Sequence, residues 1–205
     1  MKNIILIGGG GHCKSVIDVI LHECKWSIIG ILDNQEEGYA LGYPLLGNDD
    51  FIPTLINDDN AFLVTVGQIR SSAPRATIFE RLVSLGATIP TVFSPHSCVS
   101  NSSIVGLGTI VMHNAMINSG ARIGKNSIIN TKALIEHDSI VGNHTHISTG
   151  AIVNGGSEVG DCCFVGSGAI IAQGINIGSR SVIGAGSLVL SDVDEGATVF
   201  GQHRD

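Results

Sequence analysis

A histidine flanked by two carboxylates is the strongest chemical feature of this sequence. Glu136, His137 and Asp138 are consecutive, and His144 and His146 follow shortly afterwards. A neighbouring carboxylate can orient an imidazole and make it more basic, which suits a general base near neutral pH. Histidines on a regular surface are also often solvated side chains without a function, so this alternative stays open. The pattern therefore marks His137 as a candidate base.

A glycine turn near the start of the chain is the second feature. Residues 8–11 are all glycine, follow the apolar run 3–7 and precede an amphipathic segment. The dinucleotide fingerprint G-x-G-x-x-G is incomplete because Cys13 occupies its third glycine position. A helix that begins at such a turn points its N–H groups at a phosphate, and Asp33 follows the next apolar run. We expect a phosphate-bearing ligand here, with a purely structural turn as the alternative; His12 and Lys14 either reach it or are solvated.

The long segment that holds His137 is a perfect hexapeptide repeat. Residues 103–192 form fifteen units without insertion or deletion, and the third residue of every unit is Val or Ile. The first residue is small in every unit except the one that begins with Ile175. A branched residue locked to a period of six predicts a parallel β-helix, in which short strands meet at corners and successive coils stack. This solenoid is expected to hold its outward side chains, including His137, in fixed positions.

The first ninety residues have a different pattern. Apolar runs at 3–7, 27–32 and 61–66 predict strands, and amphipathic segments after residues 11 and 72 predict helices. Residues 88–93 read as a last strand before the hexapeptide register begins. The chain is therefore expected to comprise a Rossmann-like nucleotide-binding domain at 1–93, an α/β unit, followed by a β-helix domain at 94–198 and a short tail at 199–205.

Composition excludes several classes of function. The formal net charge is −7 and there are no runs of Lys or Arg, which argues against nucleic acid or an anionic membrane surface as a partner. No apolar run is long enough to cross a membrane, so no membrane insertion is expected. Five cysteines without C-x-x-C spacing indicate neither a disulfide framework nor a zinc ribbon. A cytoplasmic location is expected from these features and from the lack of a signal peptide pattern.

These motifs together resemble a known family. The segment NTKALIEHDSIVGNHTHISTGAIVNG, with GGGGH, LDN and GYPLLG in the first ninety residues, is similar to bacterial left-handed β-helix acetyltransferases. That family comprises the UDP-4-amino-sugar N-acetyltransferases and the sialic acid O-acetyltransferases. The resemblance implies acetyl-CoA as co-substrate, a nucleotide-linked amino sugar as acceptor in the synthesis of surface glycans or glycoproteins, and a homotrimer with each active site between two coils.

The resemblance also implies site residues. His137 would take a proton from the acceptor, Asp138 would raise its basicity, and His146 would hydrogen-bond the acetyl carbonyl. The acetyl-CoA path would run along His146, Gly155, Ser167 and Ala185. The nucleotide would be held by Gly10, Gly11, His12, Asp33, Asn34 and Gly67, and the match extends to Arg75. No cysteine has the spacing of an acyl-enzyme nucleophile, so direct transfer is the simpler mechanism.

Other functions remain open at this point. O-acetylation of sialic acid is the alternative within the family, since an amine and a hydroxyl need the same base. A β-helix metal enzyme of the carbonic anhydrase type would use His113, His137, His144 and His146, although no metal is expected in the preferred interpretation. A non-enzymatic scaffold or sugar-binding protein is a third possibility, and it would show no acetyl transfer.

Overall fold

A computed structural model describes residues 2–34, 39–69 and 71–204; Asp205, the last residue of the predicted tail, lies outside this set. The first part of the chain is an α/β unit. In chain order it contains β1 (Lys2–Ile7), α1 (Gly11–Glu23), β2 (Trp26–Leu32), β3 (Tyr39–Ala40), β4 (Tyr43–Pro44), a 3-10 helix (Asp49–Phe51), α2 (Ile52–Leu55), β5 (Asn60–Val64) and α3 (Ala73–Ser84). The three longer strands form a parallel sheet in the order β2-β1-β5, as the three apolar runs predict.

The second part is a solenoid with three walls of parallel two-residue strands. Wall 1 contains β6 (Val92–Phe93), β9 (Ile110–Val111), β12 (Ile128–Ile129), β15 (His146–Ile147), β18 (Phe164–Val165), β21 (Val182–Ile183) and β23 (Thr198–Val199). Wall 2 contains β7 (Cys98–Val99), β10 (Met116–Ile117), β13 (Leu134–Ile135), β16 (Ile152–Val153), β19 (Ile170–Ile171), β22 (Leu188–Val189) and β24 (Gln202–His203). Wall 3 contains β8 (Ile104–Val105), β11 (Arg122–Ile123), β14 (Ile140–Val141), β17 (Glu158–Val159) and β20 (Asn176–Ile177).

The hexapeptide register is confirmed strand by strand. Paired residues lie eighteen positions apart, as with Met116 and Leu134 in wall 2, so three hexads make one coil. The branched third residue of each unit is the second residue of a strand and points into a continuous apolar core. One difference concerns residues 88–93: Thr88 forms a parallel bridge with Ala61 beside β5, as expected for a last strand of the first sheet, whereas Val92–Phe93 pairs with Ile110–Val111 in wall 1.

A column of glycines and a ladder of small polar side chains form the corner between walls 3 and 1. The glycines are residues 106, 124, 142, 160 and 178, and a Cβ on any of them would lie 2.4 to 2.7 Å from an atom of the next coil. Beside them, the hydroxyls of Thr109, Ser127 and Thr145 each donate to a glycine carbonyl one coil on. The column of small residues therefore allows the coils to stack closely at this corner.

The α/β unit packs on the outer face of wall 1. Ile110 and Met112 of the solenoid share an apolar cluster with Val16 and Ile20 of α1. On α3, the Arg75 guanidinium is completely buried and donates to Asn126 O and Oδ1, at 3.0 Å each, and to the carbonyls of Val64 and Val66. These contacts fix the α/β unit against the coils. In the described residues, no helix has the length and apolar character needed to cross a membrane.

Candidate active site

His137 and Asp138 lie together at an exposed corner between walls 2 and 3. His137 Nδ1 is 2.9 Å from Asp138 Oδ2, and because a carboxylate can only accept, Nδ1 carries the proton. Nε2 is therefore the nitrogen with the available lone pair. One coil away, a Cβ at Gly155 would lie only 2.6 Å from Nε2, so the glycine leaves room for the ring. Asp138 thus holds the ring through Nδ1, and this leaves Nε2, on the other side of the ring, free to accept a proton.

The backbone and a neighbouring carboxylate hold this corner in place. Asp138 adopts a left-handed conformation (φ 60°), and its N–H donates to the carbonyl of Ser119 on the preceding coil. Glu136 Oε2 accepts from the N–H of His137 and from Asn118 Nδ2. The carboxylate on the N-terminal side of His137 thus positions the backbone, while the one on the C-terminal side contacts the ring.

The glycine turn lies at the carboxyl edge of the parallel sheet. Gly10 is the N-cap of α1, and among the described residues, apart from chain neighbours and the helix's own backbone, no atom lies within 4 Å of the position that a Cβ on Gly10 or Gly11 would take. The Gly9 N–H donates to Asp33 Oδ2 at 2.5 Å, so the carboxylate after β2 braces the turn. Asn34 follows as an exposed residue. Since β2 and β5 flank β1, the turn is at the point where open α/β sheets bind ligands.

A cleft joins the turn to wall 1 of the solenoid. His12 and Gly67 are adjacent, because a Cβ on Gly67 would be 3.5 Å from His12 Cβ. The cleft is lined by His12, Ser15, Gly67, Gln68, Ile69, Asn130, Thr131, His146 and Thr149. It brings the predicted nucleotide residues His12 and Gly67 together with the predicted acetyl-CoA residue His146.

His146 differs from the expectation that outward polar residues of the coil are solvated. It points out of the solenoid core but is buried beneath the α/β unit, and burial lowers the pKa of its imidazole to about 4. Its Nδ1 is 2.9 Å from the carbonyl of Gln68, so the neutral ring donates there. Its Nε2 is then an acceptor, 3.1 Å from Asn130 Nδ2. The ring closes one wall of the cleft and orients the amide of Asn130.

His12, at the buried edge of the cleft, is also uncharged. Burial, helped by the positive charge of Arg75 and by His146, lowers the pKa of His12 to about 3. Its Nε2 is inaccessible to solvent and has no hydrogen-bond partner among the described residues. His12 is therefore a neutral ring at neutral pH, which differs from the alternative of a solvated side chain.

Ser167 and Ala185 lie at the corner between walls 1 and 2, directly above Thr131 and Thr149. The hydroxyls of Ser167 and Ser148 are 3.0 Å apart. Gly155 lies at the other edge of wall 2, beside His137. Within one chain, the predicted acetyl-CoA residues therefore divide between the two corners that flank wall 2.

Two features of the site are invisible to sequence patterns. Asn130 was not singled out because it is one of many polar outward residues, and only the contact with His146 distinguishes it. Arg75 matches the family, but its guanidinium gives its hydrogen bonds to protein carbonyls and is not open to a ligand. Burial lowers the pKa of Arg75 to about 9, so it remains a cation at neutral pH.

The carbonic anhydrase type of centre binds zinc through histidines of neighbouring subunits, and the histidines considered for it do not converge within one chain. His113 contacts Asp18 of α1, and His144 lies near Glu80 of α3, with the edge of its ring toward Phe79. His146 contacts Gln68, whereas His137 is at the opposite edge of wall 2. Cys163 is equally unsuited to nucleophilic catalysis, because burial raises the pKa of its thiol to about 11.

Comparison with known proteins points to the β-helix acetyltransferase family that the sequence motifs resemble. The PglD N-terminal domain family matches residues 3–82. UDP-N-acetylbacillosamine N-acetyltransferase of Bacillus subtilis is 32% identical over 115 residues, which are 55% of this chain and 52% of that protein. The match thus spans about half the length of this curated relative.

Solved structures match over nearly the whole chain. The acetyltransferase domain of PglB from Neisseria gonorrhoeae in complex with acetyl coenzyme A is 31% identical, with a TM-score of 0.92 over 98% of this chain and 96% of that chain. PerB from Caulobacter crescentus, in complex with CoA and GDP-perosamine, is 30% identical, with a TM-score of 0.91 over 98% and 95%. The chain belongs to the PglD-like family of sugar acetyltransferases.

Proposed function

We propose that this protein transfers an acetyl group from acetyl-CoA to the amino group of a nucleotide-linked amino sugar. The observation that carries the proposal is the pair His137 and Asp138, with Nε2 oriented as an acceptor beneath Gly155. Relatives of known structure bind acetyl coenzyme A, or CoA with GDP-perosamine, and this chain aligns with them over nearly its full length. The acceptor is accordingly a 4-amino sugar linked to a nucleoside diphosphate.

The reaction needs one base and one stabilised oxygen. The sugar nitrogen attacks the thioester carbon, His137 Nε2 takes the proton that the nitrogen loses, and the carbonyl oxygen gains negative charge. Collapse of this tetrahedral species breaks the C–S bond, and the proton passes from His137 to the departing CoA sulfur. A positioned base contributes about 10²–10⁴-fold. Asp138 stabilises the imidazolium that forms in between, as the carboxylate of a histidine dyad does.

Binding of the two substrates is assigned to the two halves of the chain. The nucleotide lies at the glycine turn, with its phosphates on the N–H groups of Gly10 and Gly11 and with Asp33 and Asn34 beside it. The sugar lies beside His12 and Gly67, which line the cleft. Acetyl-CoA runs past Gly155 on one protomer and past Ser167 and Ala185 on another, with its acetyl carbonyl oxygen at Asn130 Nδ2. The expected hydrogen bond from His146 to that oxygen does not fit this tautomer, because Nδ1–H donates to Gln68 and Nε2 carries only a lone pair.

The two corners of one chain meet only in an oligomer, and we propose a homotrimer. Wall 2 presents Met116, Ile170 and Leu188 to solvent with 41%, 37% and 36% exposure, an apolar stripe typical of an interface. One edge of wall 2 carries His137, and the other carries Thr131, Thr149 and Ser167. A three-fold axis in front of wall 2 brings the first edge of one protomer against the second edge of the next. The base of one chain then faces the cleft of its neighbour.

The reaction is assigned to the cytoplasm, because it consumes acetyl-CoA.

An acetyl transfer assay tests the proposal. The purified protein is incubated with acetyl-CoA and, in separate reactions, with UDP- and GDP-linked 4-amino sugars and with free and CMP-linked sialic acid. We expect release of CoA thiol and a product heavier by one acetyl group only with an amino sugar. His137→Ala should lower kcat by about 10²–10⁴-fold, whereas His203→Ala, at the end of the solenoid, should not. If no acceptor is acetylated, the proposed function is wrong; if only sialic acid is, the chain is an O-acetyltransferase.

A further inference from the structure

A second cluster of histidines lies away from His137, where α1 meets the start of the solenoid. His113 is at the corner after β9, and its Nε2 is 2.8 Å from Asp18 Oδ2 on α1. Potential ligand atoms of Asp18, His22 and His113 all lie within 4.8 Å of one another. The ring of His96 is 5.6 Å from the rings of both His22 and His113. Asp18, His22 and His113 thus present ligand atoms to one point, and the ring of His96, from the preceding coil, lies beside them.

We propose that Asp18, His22, His96 and His113 form a binding site for a divalent transition-metal ion, with Zn²⁺ as the best fit. Three imidazoles and one carboxylate match the donors that Zn²⁺ takes in a tetrahedral site, and they disfavour Mg²⁺ and Ca²⁺, which take mainly oxygen ligands. Asp18 and His22 are four residues apart on α1, which places both on one face of the helix. All the donors come from a single chain, unlike the ligands of a β-helix carbonic anhydrase.

The ring of His113 is oriented by a buried hydroxyl, which also holds the backbone of His96. Ser94 is almost completely buried, and its Oγ lies 2.6 Å from His113 Nδ1 and accepts from the N–H of His96 at 3.0 Å. Such a partner on the far nitrogen of a metal-bound histidine fixes its tautomer and its ring. When His113 Nδ1–H donates to Ser94, the Nε2 lone pair faces Asp18, and a cation between them replaces the proton that otherwise joins them.

Little movement is needed to close the site. Bonds of about 2.0–2.2 Å place tetrahedral ligand atoms about 3.4 Å apart, so shifts of about 1–1.5 Å bring the donors of Asp18, His22 and His113 to this spacing. His96 is exposed and turns its ring toward these three to become the fourth ligand. Asp18 and His22 are exposed, whereas the His113 side chain is 20% exposed, so an ion can enter from solvent onto a partly buried ligand. The bound metal would tie α1, whose first turn carries the proposed nucleotide site, to the coils below it.

Metal binding to the full-length protein tests this inference. After the protein is stripped with a chelator and dialysed, Zn²⁺ is titrated with a calorimetric readout, and Co²⁺ is titrated with an absorbance readout that reports tetrahedral coordination. We expect one ion per chain and a rise in melting temperature. His113→Gln and His22→Gln should each weaken binding by about 100-fold or more, and Ser94→Ala by about 10-fold, since it removes only the orienting hydrogen bond.

A matched histidine variant separates this site from others. His203→Gln removes a half-buried histidine outside the cluster and should leave metal affinity unchanged. His96→Asn changes a surface residue, so its loss of affinity would not reflect misfolding. The inference is overturned if the wild-type protein binds no Zn²⁺, or if the His22, His96 and His113 variants bind it as tightly as the wild-type protein. Acetyl transfer is not the readout, so a failure here leaves the proposed function intact.

Discussion

The His137 ring occupies the space that a side chain at Gly155 would need. A Cβ built on Gly155 would be 2.6 Å from His137 Nε2 and 2.7 Å from Cε1. The two residues are eighteen positions apart, so the glycine of one coil sets the position of the proposed base on the coil beneath it. This relationship makes the solenoid itself part of the geometry of the site.

Gly155→Ala is expected to displace the base without unfolding the protein. The methyl group would push the imidazole off its position against Asp138, and a misplacement of about 1 Å can cost about 10²-fold in rate. We expect kcat to fall by about that factor while the melting temperature changes little, because His137 is exposed and can rotate into solvent. Steady-state kinetics and thermal unfolding measure the two effects. An unchanged kcat would show that the observed ring position is not the working one.

Arg75 should be a major contributor to stability. Its buried guanidinium makes four hydrogen bonds, two to carbonyl oxygens of the α/β unit and two to oxygens of Asn126 in the solenoid. Arg75→Met would leave these buried oxygens without these bonds. Because hydrogen bonds to charged groups contribute about 1.5–3 kcal/mol each, we expect the free energy of unfolding to fall by about 3 kcal/mol or more. Urea denaturation measures this change in the free energy of unfolding. Arg81→Met, on the exposed face of α3, is the control and should cost about 0.5 kcal/mol or less. Equal losses in both variants would contradict this role.

The sequence predicts the repeating coils of the solenoid. It does not predict the contacts that depend on packing between the α/β unit and the solenoid. The period of Val and Ile residues correctly predicts the coils, and the small first residue of a unit, such as Cys163, lies at the corner before the strand. The burial of His146 and Arg75 has no such signal, because it follows from the docking of residues far apart in the chain. Similarly, Val92–Phe93 looks like a final strand of the first sheet, and only its pairing with β9 assigns it to wall 1.

Stability should fall as the pH is lowered below about 6.5. His146 has a pKa of about 4 in the folded chain against 6.5 when unperturbed, so between these values the unfolded state binds a proton that the folded state does not. The linkage relation then makes the free energy of unfolding decrease toward acid pH, by about 1.4 kcal/mol per pH unit for one such group. His12, with a pKa of about 3, acts in the same direction. Denaturation at several pH values between 7 and 4 should show a shallower slope in His146→Gln. An identical slope would mean that His146 is not kept neutral by burial.

The apolar stripe on wall 2 leads to the last prediction. Ile170→Glu places a carboxylate at a position that is 37% exposed in the single chain and would be buried at the proposed three-fold axis. Burial of an unpaired charge is costly, so we expect analytical ultracentrifugation to show trimers for the wild-type protein and monomers for this variant. Val83→Glu, on an exposed apolar residue of α3, is the matched control and should remain trimeric. The monomeric variant should retain binding of the nucleotide at the glycine turn but lose acetyl transfer, since His137 would no longer face the cleft of a neighbour. A monomeric variant with full activity would refute the shared site, and a wild-type monomer would refute the trimer.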